Sequence, residues 1–147
     1  MPNQQNKKGR SKSEGQYMTL TYFQVHHTAW RSLSGNAVKV FIELRSRYNG
    51  GNNRKLRLSL DEGARLLGIS KSTVSRAFAE LEEKGFIEKT RQGQWYGREA
   101  TEWRITDLRC DKNLATRDWQ NWGKVDQQNS ASQPSMLKPD GTIRKAD

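Results

Sequence analysis

The sequence predicts an α+β fold: a three-helix core followed by a β-hairpin, with one short additional strand between the first two core helices. Three observations lead there. Apolar residues recur at spacings of three and four in three stretches, each opened by Ser or Asp and closed by Gly or a run of turn formers. Period-two alternation appears at Leu56, Leu58 and Leu60 and again at Trp103 and Ile105. A polar loop containing Gly93 and Gly97 joins the last two predicted strands.

The elements follow in order. Residues 1–16 carry Lys7, Lys8, Arg10 and Lys12 among Asn, Gln, Gly and Ser, with too little apolar surface to offset the entropy of ordering, and are expected to form a flexible basic arm. Residues 18–25 form a lead-in, and Ala29, Trp30 and Leu33 have the spacing of a short helical turn. Ser34 is the expected N-cap of a helix reaching about Tyr48, whose apolar side is Ala37, Val38, Phe41, Ile42, Leu44, Arg45 and Tyr48. Asn49-Gly50-Gly51-Asn52-Asn53 stops it, and a half-buried strand over residues 56–60 follows.

Asp61 is the expected cap of a second helix, residues 62–67, with Ala64 and Leu67 facing one way. Gly68 ends it, and Ile69 plugs the space before the next helix. Ser70 caps the third helix, residues 71–84, in which Val74, Ala77, Phe78 and Leu81 fall at i, i+3, i+4 and i+7. Gly85 closes it, and strands over residues 86–90 and 101–106 flank the loop at 92–100. These elements define a domain over residues 17–108. An extension over residues 109–123 follows, in which Leu114, Trp119 and Trp122 suit an amphipathic turn or two, and then a polar tail over residues 124–147 that is expected to be disordered.

A chain of 147 residues suits one domain with tails. Its 26 Lys and Arg against 16 Asp and Glu give a formal charge of +10, concentrated in the first third, which makes a polyanion the first partner to consider. No apolar run has the roughly 18 residues of a membrane span, and the polar start lacks a signal-peptide core, so a cytoplasmic location without membrane contact is expected. Cys110 stands alone, without a partner for a disulfide or a zinc site. The adjacent His26 and His27 point in different directions and have no nearby carboxylate or thiol, which favours structural or solvent roles over metal binding. Gly93 and Gly97 lack the Lys-Ser or Lys-Thr and the helix that complete a phosphate loop. With no nucleophile and base in a recognisable arrangement, neither an enzyme nor a cofactor is expected.

The informative stretch is residues 59–81, SLDEGARLLGISKSTVSRAFAEL. Two helices meeting at about 90 to 120° need a small residue at their crossing, a Gly in the turn and apolar residues beneath the second helix. Ala64, Gly68, Ile69, Val74 and Ala77 supply these at consistent spacing. Residues 69–76, ISKSTVSR, followed by residues 81–87, LEEKGFI, resemble the recognition helix and first wing strand of MarR-like and GntR-like regulators in the winged helix-turn-helix superfamily. They are also similar to the N-terminal domain of phage replication O proteins. The resemblance spans about residues 34–106 and implies a winged helix-turn-helix that places its third helix in the DNA major groove.

Helical geometry agrees. Opposite Val74, Ala77, Phe78 and Leu81 lie Ser72, Arg76 and Ala79, flanked by Thr73 and Ser75. Small side chains allow close approach to bases, and Arg76 can make a bidentate contact with guanine O6 and N7. Ser70 and Lys71, at the helix N-terminus, can meet a phosphate. The acidic run Glu80, Glu82 and Glu83, read as a solvated face, limits groove entry to the first two turns. On the wing, Arg91, Gln92, Gln94 and Arg98 are candidate contacts to a phosphate backbone or the minor groove. For Trp95 and Tyr96, packing back on the hairpin or on a partner subunit competes evenly with a DNA contact.

The leading functional expectation is thus a sequence-specific transcriptional regulator that binds double-stranded DNA. A replication-associated origin-binding protein is the alternative, and an adaptor using the fold for protein contacts is a third. A second copy of the chain, forming a homodimer, is a further candidate partner.

Overall fold

The computed structural model describes residues 15–124; the basic arm as far as Glu14 and the tail from Val125 lie outside the described residues. The described chain runs α1 (Tyr22–Val25), α2 (Thr28–Arg31), α3 (Gly35–Arg45), β1 (Leu56–Arg57), α4 (Leu60–Leu67), α5 (Lys71–Glu83), β2 (Ile87–Arg91), β3 (Glu102–Ile105) and a 3-10 turn (Asp118–Asn121). The expected α+β arrangement is present: α3, α4 and α5 form the three-helix core, β2 and β3 form the hairpin, and β1 is the additional strand. The three strands form one antiparallel sheet in the order β1-β3-β2, pairing Leu56 with Trp103 and Ile87 with Ile105.

Local chemistry sets the helix starts. Ser34 caps α3 by accepting from the Ala37 amide at 3.1 Å. The lead-in contains two short helices, α1 capped by Thr21 and α2 by His27, whose Nδ1 accepts from the Ala29 amide at 3.0 Å. Helix α3 ends at Arg45, earlier than the apolar pattern suggested, because Arg47 and Tyr48 are taken up in turns. The second core helix also starts differently. Ser59, not Asp61, caps α4, accepting from the Glu62 amide at 3.1 Å. Leu60 therefore belongs to α4 and is exposed, and the strand stops at Arg57. Gly68 at φ 68° takes the left-handed cap conformation that a glycine adopts without strain.

The core is aromatic and continuous. Trp30, Phe41 and Phe86 meet edge to face with centroids 5.4 to 5.9 Å apart, and Trp119 stacks on Phe86 at 5.9 Å. Phe78 of α5 stacks on Trp103 of β3 at 4.9 Å, joining the third helix to the sheet. The 3-10 turn thus delivers the fully buried Trp119 to the core, while Leu114 remains exposed. Gly85 at φ 84° permits this docking: a Cβ there would lie 2.7 Å from the Asp118 and Trp119 backbone.

Two buried polar connections cross the fold. Asn53, expected only to help end α3, accepts from the Ile105 amide at 2.8 Å and donates to the Ile105, Leu108 and Arg109 carbonyls at 2.9, 3.2 and 3.1 Å. Arg45 pairs with Asp107 at 2.6 Å, both side chains 8% exposed, and its second nitrogen donates to the Thr19 carbonyl at 2.8 Å. Cys110 is buried beside Asp111, and burial pushes its thiol above the ordinary range. No helix among the described residues is long and apolar enough to cross a membrane.

Candidate nucleic-acid interface

The candidate surface is built on α5, whose orientation is fixed from both ends. At its start, α4 crosses beneath it. The close contact is between Gly63 and Val74, not at Ala64 as the spacing suggested: Gly63 is buried, whereas Ala64 is only partly so and packs at the core's edge. Ile69 is likewise partly rather than fully buried. At its far end, Glu80 holds α5 to the start of α3. The Ser34 amide and hydroxyl donate to its two carboxylate oxygens at 2.9 and 2.7 Å, and Lys84 donates to it at 3.1 Å. Glu80 is therefore not part of a solvated face. Burial raises its pKa, but the bonds from Ser34 and Lys84 outweigh this and hold it below the ordinary carboxylate value.

These anchors leave the first two turns of α5 facing outward. Val74, Ala77, Phe78 and Leu81 are buried beneath the helix, and Ser70, Lys71, Ser72, Ser75 and Arg76 are exposed, with Thr73 half-buried. The hydroxyls are linked. Ser70 Oγ accepts from the Thr73 amide at 3.1 Å and lies 3.0 Å from Ser72 Oγ and 2.8 Å from Thr73 Oγ1. Ser70 is thus engaged as a cap, and its neighbours are oriented by it. Arg76 Nε donates to the Ser72 carbonyl at 3.4 Å, a weak contact that lays the side chain back along its own helix.

Lys71 pairs with Asp61 of α4, the residue expected to cap that helix. The side chains are 65% and 76% exposed, so the pair contributes little stability and Lys71 can exchange its partner for a phosphate. Arg91 differs. It bridges Glu99 and Glu102 at 3.3 Å each, which neutralises much of its charge within the hairpin. Arg57 donates to the same Glu102 carboxylate, and chiefly this bond holds that group below its ordinary pKa.

Gln92, Gln94 and Arg98 are exposed on the wing loop. Together with Ser75 and Ala79 of α5 they line one open groove of about 1080 Å³ between helix and wing. Ser70, Lys71, Ser72, Thr73, Arg76 and Arg91 lie outside that lining, so the candidate residues are divided between an exposed helix face, the hairpin and an adjoining groove. Lys89, absent from the expected set, also lines the groove, its ammonium 5.6 Å from the Trp103 ring centroid. Alternation puts it on the same face as Ile87, the face toward α5, and the sheet's position against α5 places it in the groove. Among the described residues no cluster of three or more His, Cys, Asp or Glu side chains could hold a metal ion.

Residues 38–96, from within α3 to the tip of the wing, match the family of Crp-like helix-turn-helix domains. No curated protein matches the chain. Among solved structures, it is similar to the adhesin competence repressor AdcR from Streptococcus pyogenes, with 16% identity over 77% of this chain and 69% of that one and a TM-score of 0.41. It is also similar to MepR, a transcription regulator of the Staphylococcus aureus multidrug efflux pump MepA, with 14% identity over 79% of this chain and 75% of that one and a TM-score of 0.39.

Proposed function

We propose that this winged helix-turn-helix chain binds double-stranded DNA as a sequence-specific regulator of transcription, with the first two turns of α5 in the major groove and the wing loop against the adjacent backbone or minor groove. The observation that carries this reading is the division of α5. One side is buried against α4, the sheet and α3, while the other presents small hydroxyl side chains and Arg76 to solvent with no carboxylate on its first two turns. An α-helix fits the major groove, and short side chains let its backbone approach the base edges. The match of residues 38–96 to Crp-like helix-turn-helix domains supports the same reading.

The proposed roles are distinct. Arg76 reads guanine; Ser72, Thr73 and Ser75 contact base edges or phosphate; Lys71 contacts phosphate; Ser70 fixes the helix start. Gln92, Gln94 and Arg98 follow the backbone on the wing side. Arg91 contributes chiefly by stiffening the hairpin through its two carboxylate partners. The basic arm, through Lys7, Lys8, Arg10 and Lys12, adds sequence-independent attraction to phosphate.

Selection of binding sites from random duplex DNA, followed by titration at several salt concentrations, tests this reading. The expected result is enrichment of a defined sequence, with affinity falling as salt rises. Half-sites repeated about one helical turn apart would identify the binding species as a dimer. Failure to enrich any sequence, with no salt-dependent binding, would contradict it.

A further inference from the structure

Trp95 and Tyr96, at the tip of the wing, are 89% and 98% exposed, so neither packs back on the hairpin. Large aromatic side chains ordinarily gain from burial, and two adjacent ones held in water make a surface suited to a flat apolar partner. Their support is stiff. Gln94 and Glu99 exchange backbone hydrogen bonds at 3.0 and 3.1 Å, and the Arg98 amide donates to the Trp95 carbonyl at 3.2 Å, closing the turn. Beneath it, Gly93 passes so close to the returning strand that a Cβ would lie 2.7 Å from the Thr101 amide nitrogen.

The surroundings indicate the partner. Both aromatics line the groove shared with Ser75 and Ala79 of α5, flanked by Gln92, Gln94 and Arg98, with Glu99 beside Arg98. The groove carries Lys89 and Arg98 against Asp61, Glu82 and Glu99, so position rather than charge points to the partner: the groove opens beside the outward-facing turns of α5, the surface read above as meeting a duplex whose interior is stacked π-surface.

We propose that Trp95 and Tyr96 form a wedge that enters a base step of the bound duplex, unstacks it and kinks the DNA. The inference rests on the DNA-binding reading above and adds to it. The indole and phenol rings replace part of the lost base stacking, and the kink brings more backbone toward Arg98. Pyrimidine–purine steps unstack most readily, so the wedge selects for such a step at a fixed distance from the bases read by α5.

The test uses the full chain and a duplex selected from random sequence by the wild-type protein, with 2-aminopurine placed in turn at each adenine. Its fluorescence rises when stacking is lost. The expected result is a rise confined to one step per wing, together with a bend seen by circular permutation. The double variant Trp95→Ala, Tyr96→Ala is expected to lose both signals and bind about tenfold more weakly, with an unchanged thermal transition. Trp95→Phe, which keeps a stacking face, is expected to retain them. Tight binding by the wild type without a fluorescence rise at any position would overturn the wedge and leave the DNA-binding reading intact. So would a double variant that unstacks and bends the duplex as the wild type does, or one whose only change is weaker self-association. Absence of duplex binding by the wild type would overturn both.

Discussion

A Cβ on Gly63 would stand 3.0 Å from Val74 Cγ1 and 3.3 Å from Cγ2, so α4 and α5 meet where α4 has no side chain. This contact sets how far α5 stands from the helix beneath it. Gly63→Ala gains helix propensity of up to about 1 kcal/mol against a tight contact, so the larger Val is the decisive substitution. Gly63→Val is expected to destabilise the fold by about 1–3 kcal/mol through overpacking, and to weaken specific DNA binding more than non-specific binding because α5 is displaced. Chemical denaturation and paired titrations measure the two effects.

Arg45 and Asp107 are a buried pair whose loss leaves a charge without its partner. Arg45→Ala is expected to cost about 3–5 kcal/mol in denaturant unfolding, since Asp107 then remains buried and unpaired. The Thr19 carbonyl also loses its donor, and amide exchange near Thr19 and Leu20 should quicken. A cost under about 1 kcal/mol would show that Asp107 reaches solvent or another partner.

Asn53 reaches four backbone groups of β3 and the segment after it, Oδ1 accepting from one amide and the two Nδ2 hydrogens shared among three carbonyls. Asn53→Ala is expected to destabilise the domain by at least about 2 kcal/mol, because buried amide and carbonyl groups lose their partners. Retention of wild-type stability would show that water replaces the side chain there.

Glu80 gives the fold a dependence on acid. Its folded pKa lies below its unfolded one, so its contribution is fully present above the unfolded value and is lost as pH falls through the folded value. Glu80→Gln is expected to lower stability near neutral pH and to flatten the loss of stability below about pH 4.5. Thermal melts of both proteins across pH 3–7 check this, and parallel pH profiles would contradict it.

The caps and faces of the helices were legible where the chemistry is local. Ser34, Gly68 and Ser70 act within a few residues of themselves, and the inward set Val74, Ala77, Phe78 and Leu81 follows from helical periodicity alone. Ser59 and Asp61 are both good caps, and Leu60 continues the alternation of Leu56 and Leu58. The choice between strand and helix there depended on β3, whose ladder reaches only Leu56 and Arg57. Gly63 and Ala64 are both small neighbours, and only the position of Val74 decides which lies at the crossing.

Asn53, Glu80 and Trp119 take roles that local sequence does not assign, for a related reason. An Asn in a turn-forming run looks the same whether it meets water or β3, and an acid beside other acids looks solvated until Ser34 is brought to it. For the candidate interface, the stripe on α5 was visible from sequence. The pairing of Arg91 with Glu99 and Glu102, and of Lys71 with Asp61, was not, because these partners meet only when the strands and helices assemble.

The most direct test of the central claim is the specificity of Arg76→Ala. Arg76 is exposed and, among the described residues, held only by a weak contact to its own helix, so removing its side chain should leave the thermal transition nearly unchanged. Titration of wild type and variant against the selected duplex, against duplexes changed at each guanine and against random DNA is the measurement. The expected result is a loss of about 1–3 kcal/mol on the selected site, with discrimination lost at one guanine and random-sequence binding largely preserved. An equal loss on selected and random DNA would make Arg76 a phosphate contact only, and no loss on either would contradict the placement of α5 in the major groove.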